Sequence, residues 1–167
     1  TANMDAQMLA ILIMKPKELS AKELDTMVRE TQFSWVTDWL QSYIIRHQPD
    51  AERERLRKKW GKESEKDSWV SRAGWHLAAS MINKGLDVGD VDALLSRIEK
   101  EMPKAKPETQ WTMNNTLGAI GMKYAKHRKR AVAIGEKIGL YGDWPMQKGC
   151  VRPYVPEWVE DLLKRES

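Results

Sequence analysis

Three times along this chain a short polar lead-in runs into a tryptophan at the head of a helically periodic segment: Ser34-Trp35-Val36-Thr37-Asp38, Ser68-Trp69-Val70-Ser71-Arg72 and Gln110-Trp111-Thr112-Met113-Asn114. The tryptophans at 35, 69 and 111 stand 34 and 42 positions apart. A unit of that length holds two helices and cannot bury its apolar faces alone, whereas stacked neighbours can. The spacing therefore predicts an all-α, HEAT-like solenoid of stacked antiparallel helix pairs. The competing account is that Trp simply recurs in amphipathic helices. In a true repeat, the polar residues three places after each Trp (Asp38, Arg72 and Asn114) occupy equivalent positions and line one face.

The segments between these blocks agree. Residues 2–14 read as one helix, and the apolar run Met8 to Met14 within it as a buried one. Ser20 with Glu23 three residues on forms a capping box for a second helix carrying Leu24, Met27 and Val28. The third starts near Ser34, places Trp35, Trp39, Leu40, Tyr43 and Ile44 inward, and ends at Pro49. Asp50 caps a charged helix ending at Trp60-Gly61. The next runs from about Asp67 to Lys84, with Trp69, Ala73, Leu77, Ala78, Met81 and Ile82 in register and Gly85 closing it. Asp87 or Asp90 opens a helix with Val91, Leu94, Leu95 and Ile98. Pro107 suits a first turn, after which Trp111, Leu117, Ile120 and Tyr124 point inward. Residues 142–156 read as loop, followed by a short helix carrying Trp158, Val159, Leu162 and Leu163.

At 41% hydrophobic and 31% charged residues, the 167-residue chain has material for one core, and residues 1–167 read as a single helical-repeat domain. The first residue is Thr1, so the chain is expected to be a piece of a longer one. One cysteine, Cys150, cannot form an internal disulfide and reads as a buried or half-exposed structural thiol. The three histidines (His47, His76 and His127) lack ligand spacing, so no metal is expected, and no Gly-rich loop joins a strand to a helix to hold a nucleotide. No cofactor is expected. The apolar run is too short to span a membrane and lacks the flanks of a signal peptide. These features describe a cytoplasmic monomer.

Charge is unevenly placed. The whole chain has 28 Lys+Arg against 24 Asp+Glu, for a net +4. Within residues 123–130, Lys123, Lys126, Arg128, Lys129 and Arg130 are joined by His127 and no acid. Such a cluster suits a phosphate backbone. It equally suits the end of a helix, where cations complement the dipole. In residues 50–66 the cations Arg53, Arg55, Arg57, Lys58, Lys59, Lys62 and Lys66 alternate with Asp50, Glu52, Glu54, Glu63 and Glu65. That pattern reads as a solvated helix laced by ion pairs, with Arg57 to Lys59 as secondary phosphate contacts.

Taken together, Ser34-Trp35 with Asp38, Trp60, the block Trp69-Val70-Ser71-Arg72-Ala73, Leu117-Gly118, Lys123-Tyr124-Ala125-Lys126 and the closing Gly149-Cys150-Val151-Arg152-Pro153-Tyr154-Val155-Pro156-Glu157-Trp158 resemble the DNA alkylation repair proteins, the AlkD-like HEAT-repeat DNA glycosylases. The resemblance covers nearly the whole chain from about the second helix pair onward. It implies a helical solenoid with a concave basic groove for duplex DNA, and helices upstream of Thr1. It also implies a catalytic set in which Asp38 stabilises the sugar cation and orients water, Trp35 packs on the sugar, and Arg72 holds a phosphate. Asn114, Lys123, Lys126, Arg128, Lys129 and Arg130 join Arg72 as DNA contacts.

The chemistry is coherent. An N3- or N7-alkylated purine is already a cationic leaving group, so the enzyme has only to stabilise an oxocarbenium-like sugar and position water. Aromatic faces favour that developing charge. The chain departs from the family pattern in two places. The family's aromatic four residues before its Asp is here Ser34, with Trp35 one place nearer. Its second aromatic falls at Ala119, whose methyl leaves one wall of the cleft open. These departures support DNA binding more than base excision, so the reading is a DNA-binding protein of alkylation repair that, if active, is a glycosylase excising N3- or N7-alkylated purines. The alternative is a non-catalytic HEAT-like scaffold that binds protein or nucleic acid.

Overall fold

The computed structural model describes residues 3–63 and 67–166. Thr1, Ala2, Ser64, Glu65, Lys66 and Ser167, together with the side chains of Glu63 and Glu166, lie outside that description. Every regular element among the described residues is helical: α1 (Met4–Ile13), α2 (Ala21–Glu30), α3 (Ser34–Trp39), α4 (Asp50–Glu63), α5 (Ser68–Asn83), α6 (Val91–Glu101), α7 (Pro107–Lys123), α8 (Ala125–Ile138) and α9 (Val155–Glu166). Single 3₁₀ turns follow α1 and α6. The chain divides into two compact units, Thr1–Leu77 and Ala78–Ser167, with the division falling inside α5.

Local chemistry sets most of the boundaries. At α2 the Ser20 and Glu23 side chains bond each other's backbone amides, completing the expected box. Asp67 accepts from the amides of Trp69 and Val70 at the head of α5, and Asp90 accepts from Ala93 N at the head of α6. Pro107 stands in the first turn of α7. Gly85 (φ 69°) follows α5, and the Leu86 amide donates back to Met81 O, the six-residue closure of a Schellman cap. Gly139 (φ 67°) ends α8 in the same left-handed conformation.

In the first unit, α1 packs on α3 and α2 on α4. The core is Leu24, Val28, Val36, Leu40, Ile44, Ile45, Leu56, Trp60, Val70, Ala73 and Trp75. The buried tryptophans are thus Trp60 and Trp75, while Trp69 is half-buried and Trp35 is 65% exposed. α4 does not stop at Gly61 but runs to Glu63. A Cβ on Gly74 would lie 3.2 Å from Trp60 Cβ and 3.4 Å from Gly61 N, so α4 and α5 touch backbone to backbone at a pair of glycines. Here Gly61 is a packing residue inside the helix. α1 also departs from expectation. It buries only Ile11, and Leu9, Leu12 and Ile13 are exposed.

The third helix explains the misplaced tryptophans. Its inward residues are Val36, Leu40 and Ile44 in one row and Thr37, Gln41 and Ile45 in another, both with a strict period of four. An α-helix has 3.6 residues per turn and drifts off such a row. Residues Leu40–Ile44 form a π turn that reverses the drift, and a 3₁₀ turn follows at Ile45–His47. The polar members of the inner rows find partners. Thr37 Oγ1 donates to Phe33 O (3.1 Å), and Gln41 Nε2 donates to Ala73 O on α5 (3.3 Å). A parallel row, Trp35, Trp39 and Tyr43, is left outside, with the rings of Trp39 and Tyr43 5.3 Å apart and Tyr43 46% exposed.

In the second unit α7 lies against α8, and α9 covers both. Glycines make room for it. A Cβ on Gly118 would come within 2.5 Å of the Trp158 ring, one on Gly121 within 2.9 Å of Val159, and one on Gly135 within 2.9 Å of Val155. Trp111 stacks edge-on to Tyr141, which holds φ 66°, and Trp144 completes the aromatic cluster. Tyr124, expected inside, is the half-buried joint between α7 and α8.

The α4 ion pairs form as expected: Arg53 with Asp50, Arg55 with Glu52, and Arg57 and Lys58 with Glu54. Lys59 instead reaches Asp25 on α2, which also accepts from Arg29 and from the Trp60 indole. Burial pushes the Asp25 carboxyl up, but these three donors outweigh it and bring it from 3.8 to about 2. A folded-state value below the unfolded one adds stability that is complete above the ordinary value and is lost as pH falls through about 2. Asp25→Asn is expected to cost about 2 kcal/mol at neutral pH and to flatten the stability curve between pH ~4 and ~2. Urea melts across that range check it.

Candidate functional site

The residues expected to act on DNA do not share one situation. Those of the first unit meet. Asp38, on α3 three residues after Trp35, faces Arg72 on α5, and Arg72 Nη2 donates to Asp38 Oδ1 at 2.5 Å. The Arg72 side chain is 2% exposed and that of Asp38 38%. The carboxylate thus has one side on a buried guanidinium and is otherwise open to solvent, and the ring of Trp35, three residues earlier on the same helix, is exposed. Arg72 is not a surface cation able to receive a phosphate. It is the buried counter-charge that holds Asp38.

A third member was not singled out from the sequence. His76 lies one turn beyond Arg72 on α5, and its Nδ1 is 3.5 Å from the same Asp38 Oδ1. The signal was available as the i, i+4 spacing from Arg72, which puts the two side chains on one helix face. Burial pushes the Asp38 carboxyl up. The His76 contact, followed by the charge and hydrogen bond of Arg72, overcomes this and holds it below the ordinary carboxylate range. Asp38 is therefore ionised at neutral pH. Its depressed basicity suits it to stabilise a cation and not to remove a proton.

In the second unit the expected contacts separate into two groups. Asn114 is buried, 1% exposed, and its amide donates to Pro153 O at 2.7 Å, tying α7 to the segment before α9. Ala119, placed by the resemblance at an open cleft wall, is likewise buried in α7. The basic cluster does not end a helix. Lys123 closes α7, and Ala125 opens α8. Lys126 to Arg130 therefore sit in the first turns of α8, where the dipole disfavours them and the first turn holds no acid of its own, so dipole complementarity accounts for Lys123 alone.

Two of its arginines have structural partners. Arg128 donates to the carbonyls of Gly121 and Met122 (2.8 and 3.1 Å), satisfying the end of α7. Arg130 binds Asp92 Oδ1 (2.7 Å) and Ser96 Oγ (2.8 Å) on α6. Lys123, Lys126 and Lys129 are exposed. On α4, Arg57, Lys58 and Lys59 are engaged with Glu54 and Asp25, which leaves them poor phosphate contacts. Cys150 is exposed, neither buried nor half-exposed as expected. Among the described residues no group of three His, Cys, Asp or Glu could hold a metal ion, and no helix is long and apolar enough to cross a membrane.

The pair is asymmetric, and so is the cost of breaking it. Removing the carboxylate strands a guanidinium away from water, whereas removing the guanidinium leaves a carboxylate that water can reach. Asp38→Ala is expected to lower stability by about 3 kcal/mol and Arg72→Met by about half that. Equal losses in denaturant titrations would contradict the assignment of Asp38 as counter-charge.

The sequence profile of the DNA alkylation repair enzyme family matches residues 1–140. A solved structure, described as a new family of proteins related to the HEAT-like repeat DNA glycosylases with affinity for branched DNA structures, superposes with a TM-score of 0.75 at 19% identity. The alignment covers 98% of this chain and 70% of that one. The fold is accordingly all-α and HEAT-like. No curated protein matches the chain.

Proposed function

Because the chain belongs to the DNA alkylation repair enzyme family, we propose that it binds duplex DNA and releases N3- or N7-alkylated purines by hydrolysis of the N-glycosidic bond. The observation that carries this reading is the Asp38 carboxylate, ionised, anchored from behind by Arg72 and open to solvent, three residues after the exposed Trp35 on one helix. The alkylated purine bears a positive charge. As the C1′–N bond breaks, its electron pair moves to the purine, which leaves neutral, and the sugar takes up the positive charge. Asp38 stabilises that sugar cation and orients the water that adds to C1′; the water's proton passes to solvent. Trp35 lies against the sugar, where its ring favours positive charge. Arg72 acts one step back, by fixing Asp38. Phosphates are held by Lys123, Lys126 and Lys129 at the turn into α8, in a partly counterion-driven association.

A second reading is DNA binding without excision. Ala119 in place of the family's second aromatic favours it, and the structural relative's described affinity for branched DNA is in keeping with it.

Two measurements decide. Duplex affinity should fall steeply with salt, and the double variant Lys126→Ala, Lys129→Ala should flatten the log–log slope by about two. A flat profile in the parent protein removes the DNA reading and leaves the scaffold. Release of 7-methylguanine or 3-methyladenine from alkylated duplex should fall by about 100-fold or more in Asp38→Asn. Tight, salt-dependent binding with no release in the parent protein establishes the second reading.

A further inference from the structure

His76 has an unfinished contact. Its Nδ1 is buried and completes no hydrogen bond, yet it lies 3.5 Å from Asp38 Oδ1, the oxygen that already accepts from Arg72. Among the described residues the acid within 4 Å of the imidazole is Asp38 from α3, whose same oxygen is held by Arg72, one turn earlier on the helix that carries His76. With His76 neutral, the carboxylate and the guanidinium cancel, and the solvent side of Asp38 keeps its negative field. With His76 protonated, two cations share one carboxylate and the cluster carries a net positive charge. The added proton also gives Nδ1 the charge-assisted bond it lacks, drawing the ring onto Asp38. A positive cluster repels a developing sugar cation.

We propose that His76 is a positioning residue that acts as a proton switch on Asp38, leaving the carboxylate able to stabilise a cation when neutral and quenching it when protonated. This rests on the excision reading of the same site, but its central claim, that His76 controls the charge state of Asp38, is measurable without turnover. Nothing bound to the protein is needed for the switch. Histidine suits such a device because a single proton converts its ring from neutral to cationic. The geometry also sets its sign. Acid turns the site off, because the proton arrives on the same side of the carboxylate as Arg72.

The test pairs a spectroscopic titration with a pH profile. The side-chain carboxyl carbon of Asp38 is followed by NMR in the parent protein and in His76→Gln, which keeps a donor but cannot charge. The midpoint should move up toward the ordinary carboxylate range in the variant, because the charge of His76 no longer opposes Asp38 protonation. Single-turnover release of 7-methylguanine should fall about tenfold per pH unit on the acid side in the parent and stay level in His76→Gln. An unchanged Asp38 midpoint overturns the proposal, as does an acid limb that persists in His76→Gln. A shifted midpoint with no release at any pH supports the switch and sinks the excision reading alone. Should His76→Gln fold poorly, His76→Asn serves the same two readouts.

Discussion

A guanidinium that is 2% exposed cannot shed its proton, so a fold that buries Arg72 must bring an anion to it. Asp38 is that anion, and much of the first unit is arranged around the meeting. The Gln41 amide reaches Ala73 O beside the ion pair, so α3 is tied to α5 at two levels. The glycine contact at Gly61 and Gly74 presses α4 onto the same helix. The N-terminal part of α5 thereby becomes the post against which α3 and α4 are set. A carboxylate held this way cannot swing aside, and its position is fixed before any ligand arrives, which is the condition for electrostatic stabilisation without reorganisation.

Much of this was legible in the sequence. The capping box at Ser20, Pro107 in a first turn, Asp90 as a cap and the glycine closure of α5 are local devices whose partners lie within a few residues, and each took its expected place. The repeat spacing carried the fold class for the same reason, since it needs only order along the chain. Asp38 and Arg72 were found together because equivalent places on paired helices come near each other.

What was not legible depends on competition between faces. In α3 an aromatic row and an aliphatic row run side by side with the same period of four, and hydrophobicity alone selects the tryptophans. The structure buries the aliphatic row, because Thr37 and Gln41 beside it find partners and a π turn keeps the spacing in phase. Similarly, Lys123 to Arg130 looks continuous as a string, but Tyr124 breaks it into the end of one helix and the start of the next. That break reverses the dipole argument and diverts Arg128 into satisfying carbonyls. Asn114 was misplaced because its acceptor, Pro153, is far along the chain. His76 went unremarked because a single histidine shows its purpose only next to its neighbours.

The seating of α9 governs the order in which the second unit can be completed. Gly118, Gly121 and Gly135 are small because Trp158, Val159 and Val155 must lie on them, and those partners are separated from the glycines by about 20 to 40 residues of chain. Closing a loop of that length costs conformational entropy before any contact repays it. On a ribosome, α7 and α8 emerge with a bare strip of backbone and no lid for it. The hairpin of two helices is therefore an intermediate waiting for α9 to be made, and a nascent chain stalled before Val155 would present that strip to the chaperones around it.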